Sequence, residues 1–251
     1  MTELTSEIAV QDFLGVSFSI STRDAWLQVL TNPRLDRFGY LVTPNVDHIV
    51  MSAKFPERTQ LLQSADWRVC DSRILAMLAR FRGLQLMPFP GSDMVQALLQ
   101  DPRSPALRIA IIGPAQDDFE ILCQKFPDHN FVFVQAPVMR RGDADWQETL
   151  QRAEAAEADI LLLCLSFPKQ EEFALDLRSR GHVHGIGMCV GASVDFLTGR
   201  QKRAPRWVNR IGMEWAWRLL QNPRRLWKRY LVEGPKIFVL FLKDLRASRS
   251  G

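Results

Sequence analysis

Apolar and polar positions along this chain switch repeatedly between a period of two and a period of about 3.6. At 15–20, GVSFSI changes face at each residue, as a half-buried strand does, and Ser21 or Thr22 then caps a helix from about Arg23. FGYLVT (38–43) predicts a second strand, and 47–64 a helical stretch that Pro56 divides in two. WRVC (67–70) predicts a short strand, followed by helical spacing of Ile74, Leu75, Leu78 and Phe81 over 72–82. The loop GLQLMPFP (83–90) leads to a helix opening at Gly91. RIAIIG (108–113), FVFV (131–134), ADILLLCLS (158–166) and VHGIGMCVG (183–191) predict further strands, with helices near 116–126 and 168–181. RRGDADW (140–146) reads as a polar loop.

Strands alternating with helices over 15–195 predict an α/β fold, a mostly parallel Rossmann-like sheet with helices on both faces. Ligands of such sheets bind at the carboxyl ends of the strands. After Gly199 the pattern changes. Four of the seven tryptophans lie between 207 and 227, and the spacing predicts amphipathic helices at about 205–221, 223–233 and 235–247, with Asn222-Pro223 as N-cap and first turn. The expected division is a catalytic domain over 1–199 and a basic, Trp-rich helical appendage over 200–251.

Charge sharpens that division. The net charge is +4, yet residues 200–251 carry 14 Lys and Arg against 3 Asp and Glu, and residues 1–199 carry 18 against 25. A cationic end on an acidic body implies a phosphate-bearing partner, lipid or nucleic acid. With 47% hydrophobic and 24% charged residues the chain is neither disordered nor dependent on disulfides. Cys70, Cys123, Cys164 and Cys189 form no CxxC, and most sit in strand-like runs, so they read as core residues of a reduced, cytosolic protein. No apolar run approaches the length of a membrane span, and the acidic N-terminus is unlike a secretory signal.

Several familiar site patterns are missing. Gly113 follows a strand, but IIGPAQ lacks the other glycines of a dinucleotide cradle, and there is no P-loop or GxSxG elbow. No Asp-x-Asp follows an apolar strand to clamp a metal, and the four histidines have no metal-ligand spacing, so no metal and no cofactor are expected. What remains gathers at predicted strand ends. Asp71 is either a general base, its pKa raised by burial, or the N-cap of the next helix. Asn45 of Thr43-Pro44-Asn45 either bonds a substrate or closes a turn. Gly91-Ser92-Asp93 either presents backbone N–H groups to phosphate or simply starts a helix. In Pro168-Lys169-Gln170-Glu171, neither capping nor packing asks for Gln170. In the tail, Arg206 and Arg210 are i, i+4 on a helix beside Trp207, Ile211 and Trp215, which suits an anionic membrane surface; packing of the aromatics on the body is the alternative.

TPNVDHI (43–49), CDS (70–72), GSD (91–93), IIGPA (111–115), SFPKQE (166–171), GASVDFLTGRQKRAPRW (191–207), GMEWAWRL (212–219) and NPRRLWKRY (222–230) together resemble the WecG/TagA/CpsF glycosyltransferases, over about 15–245. The resemblance implies an inverting, metal-independent transfer of a sugar from a UDP-sugar to a polyprenyl-diphosphate-linked saccharide at the cytoplasmic membrane face. It implies that Asp71 is the base, that Thr43, Asn45 and Gln170 line the pocket, and that Arg203, Arg218, Arg225 and Arg229 reach the lipid diphosphate. The chain departs from the family pattern at Ser72 (glycine), Pro88 (arginine) and Leu165-Ser166-Phe167 (a glycine-rich turn). Gly91, Ser92, Asp93, Gly113, Lys169 and Glu171 complete the expected substrate-binding set. The donor sugar is expected to be N-acetylmannosamine, its uronic acid or glucose; self-association is left open. The rival reading is a non-enzymatic protein whose basic tail binds nucleic acid. It leaves Asp71 and the PKQE segment without a role, so no nucleic-acid partner is expected.

Overall fold

The computed structural model describes residues 8–33, 37–205, 208 and 212–247. It opens with an antiparallel hairpin of β1 (Ala9–Phe13) and β2 (Val16–Ile20). The two-residue turn has Leu14 and Gly15 at φ of 50° and 78°, the positive values a tight hairpin with matching twist requires. Helix α1 (Arg23–Thr31) follows, and Thr22 is its cap, its hydroxyl accepting from the Ala25 N–H at 3.2 Å.

The chain then builds β3 (Gly39–Val42), α2 (Val46–Lys54), α3 (Pro56–Gln63), β4 (Trp67–Arg68), α4 (Arg73–Phe81) and α5 (Gly91–Gln100). Pro56 divides the helical stretch as expected, becoming the first residue of α3. Next come β5 (Arg108–Ile112), α6 (Gln116–Lys125), β6 (Asn130–Val134), α7 (Ala144–Ala155), β7 (Ile160–Leu163), α8 (Lys169–Ser179), β8 (Ile186–Cys189) and α9 (Ser193–Thr198). Helix α7 corrects the expected polar loop. Asp143 accepts from the Trp146 N–H at 2.8 Å and caps a helix that buries Trp146, Leu150 and Ala153.

Six strands form one parallel sheet in the order β4-β3-β8-β7-β5-β6. Successive residues feed opposite cores. Tyr40, Val42, Ala110, Ile112, Leu161 and Leu163 pack on one face; Leu41, Ile109, Ile111, Ile160 and Leu162 pack on the other. Both faces are therefore covered, and the strands read as continuous apolar runs. The chain steps outward from β3 to β4, crosses to β5 and β6, and returns through β7 to β8 beside β3. The ends of β3, β4 and β8 thus lie side by side toward one edge of the sheet, on the carboxyl side where ligands of open α/β sheets bind.

The C-terminal part contains α10 (Glu214–Gln221), α11 (Pro223–Trp227) running into a π-helical turn (Lys228–Glu233), and α12 (Lys236–Ala247). Pro223 takes the first helical position as expected, but the Asn222 side chain makes no cap bond. The apolar stretch of α12 divides. Ile237 and Phe241 are buried in the core of the body, with Phe241 edge-on to Phe13 at 6.3 Å, whereas Phe238, Val239 and Leu242 are exposed. Packing on the body therefore holds for Ile237 and Phe241, while the other face of the same helix stays exposed. None of the helices among the described residues is long and apolar enough to cross a membrane.

Candidate functional site

Strand β4 ends two residues before Cys70-Asp71. Backbone bonds from the Asp71 N–H to Pro44 O (3.0 Å) and from the Phe89 N–H to Cys70 O (2.9 Å) splice this segment between the turn after β3 and the loop before α5. Ser72 decides the role of Asp71. Its hydroxyl accepts from the Leu75 N–H at 3.3 Å and caps α4, so the cap reading of Asp71 is replaced. Ser72 stands where the family pattern has glycine, and it leaves the Asp71 carboxylate free of the start of α4.

That carboxylate lies on a cavity of about 340 Å³. Its Oδ1 accepts from the Gly91 N–H at 2.9 Å, and its Oδ2 accepts from Asn45 Nδ2 at 3.4 Å. Burial pushes its pKa up. The Gly91 N–H and the Arg218 guanidinium pull it down, Glu214 adds to the rise, and His48 opposes it; the net direction is upward. A carboxylate with a raised pKa, open to a cavity, is suited to accept a proton from a hydroxyl.

The other expected residues fall into groups. Of its two expected roles Asn45 takes the turn-closing one, and it also reaches Asp71. Its Oδ1 caps α2 by accepting from the Asp47 and His48 N–H groups (3.0 and 3.4 Å), while its Nδ2 holds Asp71. Thr43 is buried, and its hydroxyl donates to Cys189 O at 3.2 Å. Gly91 is needed next to it, because a Cβ there would sit 3.1 Å from Thr43 Oγ1. The N-terminus of α5 thus presents its first N–H to a carboxylate of this chain. Asp93 pairs with Arg203 at 2.9 Å, and the Ser92 carbonyl accepts from Arg203 at 3.0 Å.

Gln170 is buried, its Oε1 accepting from the Gly191 N–H at 2.9 Å. Glu171, expected at the substrate, has no exposed surface at all. Lys169 turns away and donates to Met139 O at 2.7 Å. Gly113 lies at the end of β5, four strands along from β4 and so about 19 Å across the sheet. Its φ of 107° and the 2.9 Å that a Cβ would have to Cys164 O give it a packing reason to be glycine.

The far wall of the cavity comes from the C-terminal part: Glu214, Trp215, Arg218, Arg229, Tyr230 and Phe238 among others. Arg218 pairs with Glu214 at 2.8 Å, and Arg229 reaches Asp47 on α2 at 3.3 Å. Both cations therefore face the same space as Asp71. Arg203 and Arg218 also lie over the Phe196 ring, at 5.9 and 4.8 Å. Arg225 is exposed, and Arg206 and Arg210 lie outside the described residues.

An open parallel sheet that brings a carboxylate of raised pKa and two arginines around one cavity beyond its strand ends is an α/β architecture with a candidate site at its carboxyl edge. The glycosyl transferase WecG/TagA/CpsF family model matches residues 11–251, nearly the whole chain, and the protein belongs to that family. It is accordingly a glycosyltransferase of surface-polysaccharide synthesis, a family that works with a sugar-nucleotide donor and a lipid-linked acceptor.

Proposed function

We propose that the protein transfers a hexose-type sugar from a UDP-sugar to a saccharide on polyprenyl diphosphate, with inversion. The donated sugar is N-acetylmannosamine, its uronic acid or glucose. Asp71 takes the proton of the acceptor hydroxyl as the oxygen bonds to the anomeric carbon. The bond from that carbon to the diphosphate oxygen breaks on the opposite face, and UDP leaves with the electron pair. Arg218 and Arg229 exchange their carboxylate partners for the acceptor diphosphate as it enters, joined at the rim by Arg203 and Arg225; charge-assisted bonds of this kind are the strong ones. The carrying observation is the shared cavity, with Asp71 on one wall and Arg218 and Arg229 on the other.

The enzyme works at the inner face of the cytoplasmic membrane. Leu231, Phe238 and Leu242 are 55%, 48% and 55% exposed, and Arg224, Arg225, Lys228 and Lys243 are exposed on the same C-terminal elements. Each basic residue near an anionic surface contributes about 1 kcal/mol, enough in combination for reversible attachment. Incubating the enzyme with radiolabelled UDP-sugars and a polyprenyl-diphosphate-saccharide extract tests this. One sugar should enter the lipid fraction with its anomeric configuration inverted. Incorporation from none of the UDP-sugars, or retention of configuration, would refute it.

A further inference from the structure

From the cavity wall beside Asp71 a line of polar groups runs into the body. Asn45 is its first member, and the Asn45 amide has one orientation available: Oδ1 accepts from two backbone N–H groups, so Nδ2 must face Asp71. His48 Nδ1 lies 2.9 Å from that same Oδ1. Nδ1 also accepts from the Asn45 backbone N–H at 3.3 Å, the reciprocal half of the α2 cap, which leaves the ring proton on Nε2. The opposite nitrogen, Nε2, faces Glu171 Oε1 at 3.8 Å.

Glu171 belongs to the first turn of α8 and is fully buried. Oε1 accepts from Gln170 Nε2 at 2.8 Å, and Gln170 in turn holds the Gly191 N–H after β8. Oε2 has no hydrogen-bond partner. A buried carboxylate so sparsely bonded is costly to the fold, and packing alone gives no reason for it. The His48 ring lies against Phe167 at 4.4 Å, which fixes its tilt between the two carboxylates.

We propose that His48 and Glu171 are positioning residues. Glu171 faces the imidazole Nε2–H, the imidazole Nδ1 holds the Asn45 backbone N–H, and the Asn45 amide holds Asp71 in line for the acceptor hydroxyl. The proposal rests on Asp71 being the base. The Asn45–Asp71 contact, at 3.4 Å, is already long, so a small turn of Asn45 releases the carboxylate. Misplacement of a reacting group by about 1 Å can cost about 10²-fold in rate.

The test compares His48→Ala, His48→Asn and Glu171→Gln in the full chain. Asn places an acceptor oxygen where Nδ1 was. His48→Ala should lower kcat about 10–100-fold with KM for either substrate within about threefold, and His48→Asn should recover most of that loss. Glu171→Gln should lower kcat about tenfold while Tm stays or rises, because a sparsely bonded buried charge is removed. Full kcat in Glu171→Gln, or His48→Asn as slow as His48→Ala, overturns the proposal. Ring ¹⁵N spectra, with His48→Asn assigning the signal, decide it independently of turnover. A bare Nδ1 in the wild type supports it, and a protonated Nδ1 overturns it even if sugar transfer is confirmed. Absence of sugar transfer by the wild type would instead refute the assignment of Asp71 as base.

Discussion

The two walls of the cavity are built in opposite ways. On the body side, Asp71 is held by a backbone N–H, a side-chain amide and two spliced strand-end loops, over cores that bury every residue of β3, β7 and β8. On the C-terminal side, neither α10 nor the π-helical turn buries a single residue, and the cations are held by the carboxylates of Glu214 and Asp47. The body therefore supplies a preorganised carboxylate, the proton acceptor of the proposed reaction. The appendage supplies charge on exchangeable partners and is anchored mainly through Ile237 and Phe241 of α12. A soluble donor can be met by a rigid site; a membrane-borne acceptor is better met by elements whose contacts can be traded.

The sharpest break of this contrast is Asp71→Asn, which keeps shape and removes the proton acceptor. Turnover should fall about 10²–10⁴-fold. The sign for stability is opposite. The folded pKa is raised above the ordinary 3.8, so the folded state binds the proton more readily. Stability then falls as pH rises from the unfolded value through the folded one, and the ionised group is a net cost at neutral pH. Melting of the Asn variant should therefore be unchanged or higher, and a lowered Tm would make Asp71 structural. Next, Arg218→Ala and Arg229→Ala should each reduce kcat/KM for the lipid acceptor about 10–100-fold, from charge-assisted bonds of about 1.5–3 kcal/mol, with donor affinity retained. Equal loss of donor affinity would erase the division between the walls.

Helix α12 offers a comparison within one element. Ile237→Ala should cost about 2–5 kcal/mol in a denaturant titration. Phe238→Asp with Leu242→Asp should stay within about 0.5 kcal/mol of wild type while losing sedimentation with anionic liposomes. Unchanged sedimentation would remove the membrane role from this face. Removal of the last helices as a block is a poor probe, because it also uncovers Phe13. The smallest expected effect is that of EDTA: turnover should be unaltered, and loss restored by magnesium would show that a metal shares the work given to Arg218 and Arg229.

The alternation of strands and helices was readable because parallel strands covered on both faces are short apolar runs separated by helical spacing. The first hairpin strand was not, since Ala9–Phe13 is mostly exposed and keeps only a weak alternation. Helix α7 was hidden by the charges of RRGDADW, although Asp143 three residues before Trp146 has the spacing of a cap. Asp71 stood out at its strand end, but base and cap were inseparable with Ser72 beside it; only the hydroxyl's bond to Leu75 separates them. His48 was read only for metal spacing. The signal that could have found it is its place three residues after Asn45, the spacing of a reciprocal cap. The pairing of Arg229 with Asp47 joins residues far apart in the chain and leaves no local trace.

The central claim is that one base answers to both walls: burial in the body raises the Asp71 pKa, Arg218 lowers it and Glu214 raises it. The pH dependence of kcat/KM in the wild type, Glu214→Gln and Arg218→Gln measures this directly. Activity should fall on acidification along a limb lying above the ordinary aspartate value. Glu214→Gln should move that limb to lower pH, and Arg218→Gln should move it to higher pH. A limb that stays in place in both variants, or moves the same way in both, would contradict the account.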